Sequence, residues 1–99
     1  MEETIFKIIA YSGEAKSCLM DAISLAKLKK FDEAEKKIQQ SKKNKILAND
    51  SHLDLFQREA LGENITLSLL LSHAEDQMMS VETIEILAKE IIDIYKILN

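Results

Sequence analysis

The chain has no proline and only two glycines, Gly13 and Gly62, so little in its 99 residues interrupts a helix. Proline removes a backbone donor and glycine adds backbone freedom, and both are the usual punctuation of turn-rich folds. A sandwich or barrel needs many such turns and favours aromatic and β-branched residues, whereas aromatics here are 5% of the chain. Hydrophobic residues at 46% are too many for a disordered chain, and the length suits one domain spanning 1–99. The expectation is an all-α fold.

Apolar residues recur at helical spacing in three blocks. The first runs from about Glu2 to Leu28, with Ile5, Ile8, Ile9, Ala15, Leu19, Ala22, Ile23 and Ala26 inward. Gly13 inside it suggests close approach of another backbone. Lys29-Lys30-Phe31-Asp32 reads as a break, and Asp32 with Glu35 resembles a capping box. The second block spans Glu33 to about Leu61, with Ala34, Ile38, Ile46, Leu47, Leu53 and Phe56 inward. Gly62 fits a helix stop, Asn64 or Thr66 a cap, and the third block runs from about Ile65 to Leu98. Three long helices joined by short turns form an antiparallel three-helix bundle.

The third block has two apolar faces. At about 100° per residue, Leu67, Leu71, Ala74, Met78, Val81, Ala88 and Ile92 share one side. A second stripe carries Leu69, Leu70, His73, Asp76, Gln77, Ser80, Ile84, Leu87, Ile91 and Leu98, while Ser72, Glu75, Glu82, Lys89, Glu90 and Asp93 face water. An apolar arc this wide on an edge helix calls for a partner, and the simplest is a second copy of the chain. The plainer alternative is that the stripe completes the monomer core.

His73, Asp76, Gln77 and Ser80 lie within that stripe at i, i+3, i+4 and i+7. A neutral imidazole is nucleophilic near pH 7 and takes a phosphoryl group on a ring nitrogen without a serine or glycine-rich loop. The competing reading makes His73 an interior residue that fixes register. If copies of the stripe meet on an axis, their Asp76 carboxylates converge and must protonate or share a cation, for which magnesium is suited. His52, flanked by Asp50 and Asp54, reads either as an ordinary helix residue or as a supporting group near the phosphoryl site.

Other classes are excluded by composition. A net charge of −4, with the lysines from Lys27 to Lys45 interleaved with acids, argues against nucleic-acid binding. No apolar run approaches the roughly 20 residues that span a bilayer, and Met1-Glu2-Glu3 does not suit a signal peptide. The single cysteine, Cys18, suits a reducing, cytoplasmic compartment and reads as a packing residue.

The segment Ser68-Leu69-Leu70-Leu71-Ser72-His73-Ala74-Glu75-Asp76-Gln77-Met78-Met79 resembles the lactose/cellobiose-type enzyme IIA component of the bacterial sugar phosphotransferase system. That family shows an apolar run followed by His-Ala/Gly-Gln-Asp-His-Leu-Met. Ala10-Tyr11-Ser12-Gly13-Glu14-Ala15-Lys16-Ser17, Gln57-Arg58-Glu59-Ala60-Leu61-Gly62-Glu63 and Ile91-Ile92-Asp93-Ile94-Tyr95-Lys96 extend the likeness along nearly the whole chain. The resemblance implies a cytosolic homotrimer of three-helix subunits. It implies that His73 accepts phosphate from the histidine-containing phosphocarrier protein and passes it to a cysteine of enzyme IIB. It also implies that Asp76 binds magnesium on the trimer axis. Gln77 stands where the family often has a second histidine, Glu75 where it has glutamine, and Asn49 and His52 where it has histidine and glutamine. Gln77 can still donate through its amide and, with His52, is expected to support the phosphoryl site. The alternative is a trimeric interaction or regulatory module that has lost the chemistry.

Overall fold

A computed structural model describes residues 1–66 and 68–98. Three helices follow in order: α1 (Glu2–Lys27), α2 (Phe31–Ala60) and α3 (Leu69–Leu98). They form the expected all-α three-helix bundle. α1 lies in the middle, packed on both α2 and α3, and the two outer helices touch each other little.

The seam of each helix follows a 3–4 spacing. In α1 the buried positions include Ile5, Ile8, Ser12, Ala15, Leu19, Ala22 and Ala26, with Thr4 and Cys18 beside them; in α3 they are Leu71, Ala74, Val81, Ala88 and Ile92. Much of the seam is alanine, which lets the helix axes approach closely. One core cluster joins Leu19, Ala22, Ile38, Val81 and Ile92, and a second at the other end joins Ile5, Ile8, Leu55, Leu71 and Ala74.

The inward face of α2 differs from the expectation. Ala34 and Ile38 are buried, but Ile46, Leu47, Leu53 and Phe56 are more than two-fifths exposed, and the seam is continued by Ser41, Ala48 and Leu55. The positions between them at the same spacing, Lys45 and His52, are half-buried. Polar residues in a seam look like interruptions in an apolar pattern, so a hydrophobicity rule points to the large apolar neighbours instead.

Both turns begin with the same carbonyl-satisfying device. At the end of α1 the amide of Lys30 donates to the carbonyl of Leu25 and that of Lys29 to Ala26, both at 2.9 Å. At the end of α2 the amide of Glu63 donates to Arg58 and that of Gly62 to Glu59, both at 3.0 Å. This is the Schellman arrangement, which places one residue in the left-handed region. Gly62 takes φ 96° without strain, whereas Lys29 takes φ 63° with a side chain.

Three local expectations are corrected. α2 begins at Phe31 with Lys30 at its N-cap and no side-chain cap, so Asp32 is inside the first turn and acts on the helix dipole rather than as a capping box. α3 begins at Leu69, not Ile65, and its cap is Ser68, whose Oγ accepts from the Leu71 amide at 3.1 Å. Ile65, Leu67, Leu69, Leu70 and Leu71 mimic a continuing helical pattern in sequence, but among the described residues it is Ser68 that supplies the cap bond. Leu67 lies outside the described residues. Gly13 is exposed, and no heavy atom of the described residues lies within 4 Å of where its Cβ would sit, so close approach inside the subunit does not account for it.

Candidate functional site around His73

His73 sits in the second turn of α3, on an exposed face. Leu71 and Ala74, buried on either side of it, fix the helix against α1 and so fix the direction in which the imidazole leaves. Among the described residues the ring makes no hydrogen bond or ion pair, leaving both nitrogens accessible. Asp76 is likewise exposed. Ser80 donates from Oγ to the Gln77 carbonyl at 3.0 Å.

Gln77 is half-buried and accepts, at Oε1, a hydrogen bond from Nζ of Lys16 on α1. An ammonium only donates, so this contact fixes the amide orientation and leaves the Nε2 hydrogens free to donate. Lys16 belongs to the first-helix motif of the resemblance but carries no site role there; nothing in linear spacing ties position 16 to position 77.

His52 is held elsewhere. Its Nε2 donates to Oε2 of Glu75 at 2.8 Å, and its ring meets Phe56 edge-on with centroids 4.8 Å apart. A carboxylate accepts only, so the proton is on Nε2. Glu75 lies two residues from His73 and hence about 200° around α3. Within one subunit the structure therefore brings Gln77 beside His73 but sets His52 on the opposite side of the helix. Glu75 is not turned fully to solvent, as the helical wheel had it, because α2 covers that side. His52, Phe56, Ile65, Leu71 and Glu75 line a groove there.

The rest of the α2–α3 seam is also ionic. Nζ of Lys45 lies 3.2 Å from Glu82 and 3.5 Å from Glu85. Burial alone would depress the Lys45 ammonium, but the Glu82 hydrogen bond and the Glu85 charge outweigh it and hold its pKa above the ordinary value. Cys18 is buried on α1, where desolvation, reinforced by the charge of Glu14, pushes its thiol pKa up. That agrees with a packing role rather than a nucleophile.

The apolar stripe that carries His73 is split: Leu70 and Ile84 are half-buried against the core, whereas Leu69, Leu87 and Leu98 are 91%, 55% and 73% exposed. No helix among the described residues is long and apolar enough to cross a membrane. Nor do the described residues contain a group of three or more His, Cys, Asp or Glu side chains able to hold a metal within one chain.

Comparison with known proteins places this arrangement. A family model described as PTS system, Lactose/Cellobiose specific IIA subunit, matches residues 3–96. The PTS system oligo-beta-mannoside-specific EIIA component of Bacillus subtilis (strain 168) is 38% identical over 98 residues, covering 99% of this chain and 89% of its own length. The PTS system lactose-specific EIIA component of Staphylococcus epidermidis is 34% identical over 91 residues, covering 92% and 88%. The crystal structure of the PTS cellobiose specific enzyme IIA from Bacillus anthracis superimposes with a TM-score of 0.92 at 39% identity, covering 98% of this chain and 89% of that one. An all-α bundle that displays a histidine on its third helix, matched along almost its full length, belongs to the lactose/cellobiose-specific IIA family of the sugar phosphotransferase system, and its work is phosphoryl transfer in sugar uptake.

Proposed function

We propose that His73 is the residue that carries the phosphoryl group. The donor is the histidine-containing phosphocarrier protein and the acceptor a cysteine of the cognate enzyme IIB, both met in the cytoplasm. The observation that carries this reading is an exposed imidazole without a hydrogen-bond or ion-pair partner among the described residues, held on a helix of a chain that belongs to this family. The lone pair of the unprotonated ring nitrogen forms the new N–P bond as the donor's N–P bond breaks and its electron pair returns to the donor ring. Each imidazole keeps the proton on its other nitrogen, so no proton has to cross. The same displacement by a thiolate of enzyme IIB returns His73 to its neutral form. The partners supply the orientation that this open face lacks.

The functional unit is a homotrimer joined along the exposed stripe of α3, with Asp76 near the axis. Asp76 is an exposed carboxylate, and a set of carboxylates with waters is a donor set that suits magnesium. The ion would neutralise converging charge and hold the subunits in register; the phosphoryl chemistry proceeds at His73.

The test is incubation of the purified protein with active phosphotransferase donors. Wild type should gain an acid-labile, base-stable phosphate, and His73→Ala should gain none while keeping its helicity and oligomeric mass. Failure of wild type to label, with donors that label another IIA protein, would sink the reading in favour of an interaction module. That module would bind its partners regardless of phosphate.

A further inference from the structure

Phosphorylation of His73 brings about two negative charges to a face that already displays the Asp76 carboxylate, on a chain whose net charge is −4. Something must offset them. Around α3, Gln77 lies about 40° from His73 and one turn along, so both side chains leave on the same side. Lys16, on α1, reaches that side and donates to Gln77. Among the described residues it is the only cationic side chain hydrogen-bonded to the His73–Ser80 stripe. Its partner there is a neutral amide, and it forms no ion pair with a carboxylate among the described residues. The other cross-helix cations are already matched: Lys45 with Glu82 and Glu85, Lys37 with Asp21.

A half-buried ammonium whose partner among the described residues is a neutral amide, itself one turn from a nucleophilic imidazole, has charge to spare. We propose that Lys16 is a positioning residue for phosphoryl transfer: it orients the Gln77 amide so that Nε2 can donate, and it offsets the charge that arrives at His73. The inference rests on the function proposed for His73. In the unphosphorylated protein Lys16 holds the Gln77 oxygen. When the phosphoryl oxygens arrive, the ammonium and the Gln77 amide hydrogens are donors on the same side of α3, in a site where solvent screens only part of the interaction.

The experiment follows phosphoryl transfer from the phosphorylated donor protein to wild type, Lys16→Met, Lys16→Gln and Lys16→Arg, with helicity and oligomeric mass checked for each. Lys16→Gln keeps an amide donor for Gln77 without the charge, and serves as the neutral variant should Lys16→Met fail to fold. The neutral variants should lose on the order of tenfold in kcat with KM for the donor unchanged. They should also hold a smaller phosphorylated fraction at equilibrium, and Lys16→Arg should restore both. The gap between wild type and the neutral variants should narrow at high salt. A wild type that labels, beside folded neutral variants that label equally fast and to the same extent, overturns the role of Lys16 and leaves that of His73 intact. A wild type that does not label overturns the His73 reading, and this one falls with it.

Discussion

At the scale of single residues, the side on which each polar group leaves α3 decides what it can do. Glu75 and Asp76 are neighbours in sequence, yet one is engaged by His52 across the α2 side and the other is exposed. A carboxylate two residues from His73, the proposed phosphoryl acceptor, would repel phosphate if it shared that face. It does not, and its charge is partly matched by the His52 N–H. Glu75→Gln should therefore phosphorylate at the wild-type rate, measured by single-turnover labelling. Its stability in urea should fall by less than about 1 kcal/mol, because the pair is partly exposed and screened. A marked rise in labelling rate would show that Glu75 does act on His73.

At the scale of elements, the helix ends and the polar seam carry the specific information. Lys29 occupies a left-handed position that costs a side-chain-bearing residue about 1 kcal/mol relative to glycine. Lys29→Gly should recover about that amount in thermal or urea denaturation, since its amide bond to Ala26 is kept. Lys45 ties α2 to α3 and its pKa is raised in the fold. A cation with a raised pKa contributes stability that is fully present below its unfolded value and is lost as pH climbs through the folded value. The stability gap between wild type and Lys45→Met should thus persist at neutral pH and close as pH rises above about 10.4. Legibility from sequence follows the same division. Helical extent in α1 and α2 was readable to within two residues, because apolar periodicity is local. The start of α3 was not, because Ile65 continues an apolar rhythm across the Ser68 cap. The α2 seam was misassigned because Ser41, Lys45 and His52 occupy seam positions that a hydrophobicity rule skips, although the run 34, 38, 41, 45, 48, 52, 55 holds the right spacing. His73 stood out as a polar residue in an apolar stripe. Lys16 did not, because its meaning depends on a contact made 61 residues away.

At the scale of the whole molecule, the subunit is a rod of 55 × 19 × 17 Å with a radius of gyration of 15.9 Å. A compact domain of this length would have a radius near 13 Å, so the bundle gives up burial for length. With α1 central, α3 keeps one flank open along the rod, and that flank carries Leu69, Leu87 and Leu98 beside His73 and Asp76. In the proposed assembly these exposed apolar side chains would form the contact between copies, and the Asp76 carboxylate among them would set its register. In the proposed homotrimer three Asp76 side chains approach one another, and their mutual repulsion is relieved by protonation or by a shared cation, of which the proposal takes the cation. Asp76→Leu removes the repulsion and the cation's site together. The variant should fold, remain trimeric at lower protein concentration than wild type, and melt higher. Chelator should lower the melting temperature or the trimer fraction of wild type, measured by sedimentation, and leave Asp76→Leu unchanged. Magnesium added back should restore wild type alone. An equal response of the two proteins to chelator would remove the axial ion from the mechanism of assembly, while a monomeric wild type would remove the axis itself.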